Sequence, residues 1–235
     1  MLYFSILMKH FLKTSMILFC AVLLSNKAYM QTLKYRYLAL GDSYTIGEQV
    51  PERENFPNQV VSQLKKKKIF FEEPAIIAKT GWTTDELQNQ LAQTRLAIPF
   101  DLVTLLIGVN NQYRGRSSEE YAVQFEELLQ QAIGYAGGKI SRVIVLSIPD
   151  WGVTPFAEGR DRNKIAKEID DFNAINKKIA EKYKVRYIDI TPLTREASSD
   201  LTLLTDDKLH PSGKDYRRWA EKVVAFIMME FTEKK

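Results

Sequence analysis

Three residue types in this sequence could together perform nucleophilic hydrolysis: a serine, a histidine and an aspartate. Ser43 lies in the stretch ALGDSYTIGE, directly after an apolar run. His210 follows Asp207 by three residues, so the acid can reach back to orient the ring. A serine hydroxyl becomes a good nucleophile when a histidine takes its proton and a carboxylate fixes the tautomer of that histidine. We therefore predict that Ser43 is the nucleophile, His210 the base and Asp207 the orienting acid.

The same residues also have purely structural interpretations. Ser43 could cap a helix that follows a buried strand, and a lone histidine is more often a surface or capping residue than a catalyst. The chain has two histidines, and His10 falls in a predicted leader, so a histidine-dependent enzyme would have to use His210. Asp42 lies beside the serine, but we expect it to brace the turn rather than to join the triad.

The negative charge on a tetrahedral intermediate needs hydrogen-bond donors that are already in place. We predict three such donors: the backbone N–H groups of Ser43 and Gly81 and the side-chain amide of Asn110. Gly81 is equally well explained as a turn glycine with a positive φ, and Asn110 as an ordinary turn residue. No metal is expected, because one histidine and no cysteine remain after the leader. No cofactor is expected either.

These residues all follow apolar runs that are typical of buried strands. The five runs are YRYLAL (35–40), AIIA (75–78), LVTLLI (102–107), RVIVLSI (142–148) and VRYIDI (185–190). Segments with helical spacing lie between them, the clearest with an apolar face of Ile165, Ile169, Phe172, Ile175 and Ile179. Strict alternation predicts an α/β fold, a three-layer α/β/α sandwich with a five-stranded parallel sheet. Ligands of such sheets bind beyond the carboxyl ends of the strands.

The ends of two predicted helices carry further signals. The last helix is expected to begin near Ser212, with Asp215 completing a capping box. Its buried side would carry Tyr216, Trp219, Val223 and Ile227. The basic run at residues 65–68 ends an earlier helix, where cations complement the negative helix end. We interpret this run as a solvated helix terminus rather than a patch for an anionic partner.

The motif blocks resemble those of the SGNH hydrolase superfamily, also called GDSL-type esterases and lipases. Four blocks occur in the order of that family between residues 41 and 210: GDSYTIG, TGW, GVNN and DKLH. The resemblance implies a flavodoxin-like α/β/α fold and a triad of Ser43, His210 and Asp207. It also implies an oxyanion hole formed by Ser43, Gly81 and Asn110.

One position departs from the family pattern. The third block usually has aspartate where this chain has Asn111, so the local hydrogen bonds of that aspartate must differ here. Other serine-hydrolase and nucleotide-binding signals are absent from the sequence: it has no G-x-S-x-G elbow, and GDSYTIG fits neither a dinucleotide fingerprint nor a phosphate loop.

The first 28 residues are predicted to be a signal peptide, and residues 29–235 the hydrolase domain. Basic residues precede an apolar run over residues 16–24, which is shorter than the roughly 20 residues that a membrane-spanning helix needs. An uncleaved anchor and a translation start at Met8 are alternatives. The only cysteine, Cys20, lies in this run, which excludes disulfides from the mature chain. Removing three leader lysines and no acids lowers the formal net charge from +4 to +1.

These observations predict an exported serine esterase, periplasmic or secreted, that hydrolyses acyl or acetyl esters through an acyl-enzyme intermediate. The substrate would be a small-molecule, lipid or glycan ester. We expect no nucleic-acid partner and no stable membrane insertion after cleavage. A carbohydrate O-deacetylase with the same mechanism is the alternative. A non-catalytic glycan-binding module is a second alternative, although such a module has no physical need for an intact triad.

Four aromatic residues on the loops after the strands are candidates for the substrate pocket: Trp82, Tyr113, Trp151 and Phe156. Each could equally pack beneath its loop, because large rings contribute much of any core. The longest irregular segment after a strand is PDWGVTPFAEGRDR, which we expect to shape the substrate site. Its Asp150 is expected to cap or brace that loop.

Overall fold

Five parallel strands form a single sheet in the computed structural model, which describes residues 34–232. The strands are β1 (Tyr37–Asp42), β2 (Ala75–Lys79), β3 (Leu102–Leu106), β4 (Val143–Leu146) and β5 (Arg186–Ile188). Their order across the sheet is β2-β1-β3-β4-β5. Each overlaps one of the five predicted apolar runs, so the strand prediction is confirmed. The predicted signal peptide lies outside the described residues.

The helices of residues 34–232 follow the strands along the chain. They are α1 (Ser43–Ile46), α2 (Phe56–Lys66), α3 (Thr84–Gln93), α4 (Val109–Tyr113), α5 (Ser118–Tyr135), α6 (Arg162–Lys182), α7 (Thr191–Arg195) and α8 (Gly213–Thr232). Helix α2 packs against α8, whereas α5 packs against both α3 and α6. The two groups cover the two faces of the sheet, which confirms the three-layer α/β/α prediction.

The core lies between the sheet and these helices. Every residue of β1, β3 and β4 is buried, as expected for central strands that are covered on both faces. The apolar face predicted for α6 points into this core, with Ile169 fully buried and Ile175 partly buried. The four residues predicted for the inner side of α8 are all buried. Apolar periodicity therefore identified the inward faces of both helices.

The capping box predicted for α8 is wrong. The helix does begin at Gly213, but the Ser212 hydroxyl donates to the carbonyl of Thr202 at 2.8 Å. The Asp215 carboxylate instead accepts hydrogen bonds from Trp219 Nε1 and Arg218 Nη1, both at 3.1 Å. Ser212 is therefore engaged with the preceding loop, and Asp215 with its own helix.

The four lysines of residues 65–68 are exposed at the end of α2, with two of them in its last turn. This exposure agrees with a solvated helix terminus. Within residues 34–232, no helix combines the length and the apolarity that a membrane span requires.

Candidate active site

The predicted nucleophile lies at the carboxyl end of the central strand β1. Asp42 ends the strand, and its Oδ1 accepts a hydrogen bond from the N–H of Tyr44 at 3.0 Å, which caps the short helix α1. Ser43 is the first residue of that helix. A Cβ on Gly41 would collide with the Thr45 side chain and with the carbonyl of Leu106. Glycine is therefore required where the strand turns into the helix.

The structure brings the three predicted triad residues into one hydrogen-bonded line. Ser43 Oγ lies 3.0 Å from His210 Nε2, and His210 Nδ1 lies 2.6 Å from Asp207 Oδ2. Ser43 and His210 are buried, whereas the Asp207 side chain keeps 28% of its surface exposed. The His210 ring also contacts the Tyr44 ring, at 5.1 Å between centroids. In this geometry the histidine can accept the serine proton while the acid holds the other ring nitrogen.

The loop before α8 holds the Asp207 carboxylate in place. Its Oδ1 accepts hydrogen bonds from the N–H groups of Leu209 and His210, at 2.9 and 3.0 Å, and from the Thr205 hydroxyl at 2.8 Å. Burial by itself would raise the pKa of Asp207, but the hydrogen bonds from His210, Leu209 and Thr205 outweigh it and lower the pKa to about 2. Asp207 is therefore a carboxylate over the whole working range of an ordinary enzyme.

The three predicted oxyanion donors belong to residues that line one cleft. The Ser43 N–H belongs to the first turn of α1, whose N–H groups have no partner within the helix. Gly81 has φ +82°, and among the described residues its N–H has no hydrogen-bond acceptor. The Asn110 side-chain Nδ2 donates to the Trp82 carbonyl at 3.0 Å and approaches Asp42 Oδ2 at 3.4 Å. Ser43, Gly81 and Asn110 all line the same cleft, and the Asn110 side-chain amide is already hydrogen-bonded to Trp82 and Asp42.

A sequence model of the GDSL-like Lipase/Acylhydrolase family matches residues 39–218, which include every residue of this site. The chain belongs to this family. Membership makes the protein a carboxylic ester hydrolase of the GDSL/SGNH type. A search of curated protein sequences finds no significant match.

Solved GDSL-type structures share the fold at low sequence identity. An acetylxylan esterase from Geobacillus stearothermophilus is 19% identical, with a TM-score of 0.63 over 82% of this chain and 94% of that chain. A lipase/acylhydrolase from Enterococcus faecalis is 22% identical, with a TM-score of 0.60 over 82% and 95%. A psychrotrophic esterase from Pseudoalteromonas sp. is 15% identical, with a TM-score of 0.60 over 85% and 100%.

This chain departs from the GDSL pattern at Asn111, where the family usually has aspartate, and both polar atoms of the Asn111 side chain have a partner. Its Oδ1 accepts the N–H of Thr84 at 3.1 Å, at the start of α3, and its Nδ2 donates to the Thr84 hydroxyl at 2.7 Å. That hydroxyl donates in turn to Gln124 Oε1. An aspartate could not supply the Nδ2 donor, so in this GDSL protein the asparagine and Gln124 belong to one buried network.

A cleft of about 520 Å³, including its open mouth, lies in front of Ser43. It is lined by Ser43, Tyr44, Thr80, Gly81, Val109, Asn110, Tyr113, Trp151, Phe156, Leu209 and His210. Three of the four predicted aromatic residues are among them. Trp82 does not line the cleft. Its half-buried side chain packs against the hydrophobic core, as the alternative interpretation of these aromatic residues predicted.

Other residues in or behind the cleft were assigned no role from the sequence. Gln112 Oε1 accepts the Trp151 Nε1 hydrogen at 2.7 Å and so fixes the orientation of this buried indole. Gln112 Nε2 in turn donates to Glu168 at 2.7 Å. Thr80 and Leu209 lie within the motif blocks TGW and DKLH, but the sequence assigned them no role in the pocket. Membership of a block was the available signal for these two, whereas the pairing of Gln112 with Trp151 spans 39 positions.

Asp150 holds the segment after β4 in place through hydrogen bonds, as predicted from the sequence. Asp150 Oδ1 accepts the N–H of Gly152 at 2.9 Å, and Oδ2 pairs with Arg195 Nε at 2.9 Å. The carboxylate is buried, and Asp150 is not among the residues that line the cleft. Among residues 34–232, no three His, Cys, Asp or Glu side chains form a group that could hold a metal ion.

Proposed function

We propose that this GDSL-family hydrolase is an exported serine esterase that acts through an acyl-enzyme intermediate. The observation that carries the proposal is the line of hydrogen bonds from Ser43 Oγ through the His210 ring to the Asp207 carboxylate. A buried serine paired in this way with a histidine and an ionised acid has the parts that nucleophilic catalysis requires.

In the first half of the reaction, Ser43 Oγ attacks the ester carbonyl while His210 Nε2 takes its proton. The N–H groups of Ser43 and Gly81, with the Asn110 amide, stabilise the negative oxygen of the tetrahedral intermediate. When the intermediate collapses, His210 gives its proton to the leaving alcohol. Water then attacks the acyl-enzyme with His210 again as base, which releases the carboxylic acid and restores the serine.

A fluorophosphonate probe tests the nucleophile directly. The pure, folded protein should be labelled at Ser43; labelling should disappear in Ser43→Ala and fall sharply in His210→Ala. Ser62→Ala removes an exposed hydroxyl from α2 and is the matched control, which should label like the wild type. Absence of labelling in the folded wild type would contradict the proposal.

A carbohydrate O-deacetylase is the second candidate within the same mechanism. The exposed rings of Tyr113 and Phe156 at the cleft favour it, because flat apolar faces suit the face of a sugar ring. The name of the acetylxylan esterase among the structural neighbours points to the same substrate class. Comparing the turnover of short and long p-nitrophenyl esters with that of acetylated oligosaccharides, with Ser43→Ala as control, separates the two candidates.

The exported location is proposed from the leader sequence alone. Residues 1–28 have the basic, apolar and small-polar order of a signal peptide. Mass spectrometry of the exported protein should find a mature chain that begins near Tyr29. Leu18→Arg interrupts the apolar run and should retain the protein in the cell. Recovery of a full-length, unprocessed wild-type chain from the cell interior would contradict export.

A further inference from the structure

One wall of the cleft is built from three mutually packed aromatic rings. Tyr113 and Trp151 lie 5.2 Å apart between centroids, Trp151 and Phe156 6.1 Å, and Tyr113 and Phe156 6.3 Å. We call these three residues the aromatic wall. They line the same cleft as Ser43 and His210, so a substrate bound at the serine lies against them.

A cation lies over this wall. The Arg160 guanidinium carbon is 5.1 Å from the Tyr113 ring centroid, 5.3 Å from that of Trp151 and 6.0 Å from that of Phe156. Arg160 Nη2 also donates to the Tyr113 hydroxyl at 3.2 Å. Every one of these contacts is to a residue of the aromatic wall, which lines the cleft, whereas Arg160 is not itself among the lining residues.

The charge of Arg160 has no counterpart in the described part of the chain. No Asp or Glu oxygen there lies within 4.0 Å of its guanidinium nitrogens, whereas Arg114, also near the cleft, pairs with Glu86 at 3.2 Å. A guanidinium has five N–H donors in a rigid plane, and Arg160 uses one nitrogen for Tyr113. The remaining donors match the two oxygens of a carboxylate.

The backbone beneath Arg160 is fixed. Its N–H donates to the carbonyl of the buried Ala157 at 3.1 Å, and Gly159 before it has φ +75°, which closes the turn. The aromatic wall is anchored as well, because the Trp151 indole is held by Gln112. The backbone that carries Arg160 and the rings that its guanidinium covers are therefore both held in place.

We propose that Arg160 and the aromatic wall form a subsite for a carboxylate group carried by the ester substrate. The inference rests on the proposed esterase function and narrows its substrate class to anionic esters. The rings contact the apolar part of the substrate beside the ester bond, and the guanidinium binds the carboxylate. The carboxylate can belong to the acyl part, as in a dicarboxylic acid monoester, or to the alcohol part, as in an acetylated acidic sugar.

Two pairs of substrates distinguish these sources. p-Nitrophenyl butyrate and the p-nitrophenyl monoester of glutaric acid differ by a carboxylate on the acyl part. Phenyl acetate and 4-acetoxybenzoate differ by one on the alcohol part. In at least one pair, Arg160→Gln should lower kcat/KM for the anionic member about fivefold more than for the neutral member, as expected for a partly exposed charge pair. Arg160→Lys should recover part of the difference.

Arg53→Gln is the control for net charge, because Arg53 is exposed and lines a separate groove beside α2 and α8. It should leave both anionic-to-neutral ratios as in the wild type. Ratios that are the same in wild type and Arg160→Gln for both pairs would overturn the carboxylate subsite. If, in that case, both members of each pair lose activity by the same factor, Arg160 contributes to the shape of the wall instead. Neutral ester turnover that persists in Ser43→Ala would instead overturn the proposed function.

Discussion

Replacing Asp207 with asparagine removes the charge of the orienting acid and almost none of its volume. Asp207 Oδ2 lies 2.6 Å from His210 Nδ1, and an amide nitrogen at that place would donate to Nδ1 instead of accepting from it. The imidazole proton would then move to Nε2, which lies 3.0 Å from Ser43 Oγ. A protonated Nε2 in a neutral ring cannot take the serine proton, so the base would be lost while the side chains stay in place.

The size of the effect follows from which contacts survive. Asparagine keeps an Oδ1 that can still accept from the N–H groups of Leu209 and His210 and from the Thr205 hydroxyl. The loop should therefore keep its shape and KM should change little. In other serine triads the wrong tautomer lowers kcat by about 10⁴-fold. We expect a loss of about 10³ to 10⁴ here, roughly 4 to 5.5 kcal/mol of transition-state stabilisation.

Steady-state hydrolysis of p-nitrophenyl acetate measures this loss, with circular dichroism to establish that the variant is folded. Asp206→Asn is the matched control, because it makes the same change at the neighbouring exposed acid. Asp206→Asn should retain wild-type kcat. A folded Asp207→Asn enzyme with kcat within about tenfold of the wild type would refute the assigned role, since a misplaced proton at Nε2 cannot be that mild.

Two further substitutions test the surroundings of the serine. Asn110→Ala should lower kcat about 100-fold, because one oxyanion donor is lost, and should lower the unfolding free energy by about 1 kcal/mol, because the hydrogen bond to Trp82 is lost as well. A folded variant with kcat within threefold of the wild type would remove Asn110 from the oxyanion hole. Asp42 has its folded pKa raised to about 7, so its contribution to stability is fully present below about pH 4 and is lost as the pH rises through 7. Between pH 5 and pH 8, urea unfolding should therefore show a loss of stability that is about 3 kcal/mol larger in the wild type than in Asp42→Asn, and equal pH dependence of the two would contradict this.

The strands and the helix faces could be predicted because they depend on local patterns. The five apolar runs that precede the motifs correspond to the five strands of the sheet. The apolar face predicted for α6, which includes Ile169, is buried as its spacing indicates. The proximity of Ser43 and His210 could also be predicted from the sequence. Both follow elements whose carboxyl ends meet at one edge of a parallel sheet, so a separation of 167 residues along the chain did not prevent the prediction.

The sequence-based predictions failed where a side chain has several possible partners and the local pattern does not decide between them. Ser212 had the right position for a helix cap, but its hydroxyl donates to the carbonyl of Thr202, ten residues back, and its N–H donates to the carbonyl of Leu203 instead of to Asp215. Trp82 stands beside Gly81 on a loop that borders the cleft, yet its ring packs against the core. The sequence offered no reason to select Arg160 as a binding residue, because its contact with Tyr113 joins positions that are 47 residues apart. In each case the competing partners come together only in the folded chain.

Two carboxylates near the serine show how the fold assigns roles that residue type cannot. Asp42 is fully buried, and burial raises its pKa to about 7 against the opposing hydrogen bonds from Tyr44 and Asn110. Asp207 is less buried, and the hydrogen bonds that it accepts lower its pKa to about 2. Only an acid that stays ionised can stabilise an imidazolium next to it throughout the reaction. The acid adjacent to the nucleophile is therefore unsuited to the triad, and the distant acid on the loop before α8 is suited to it.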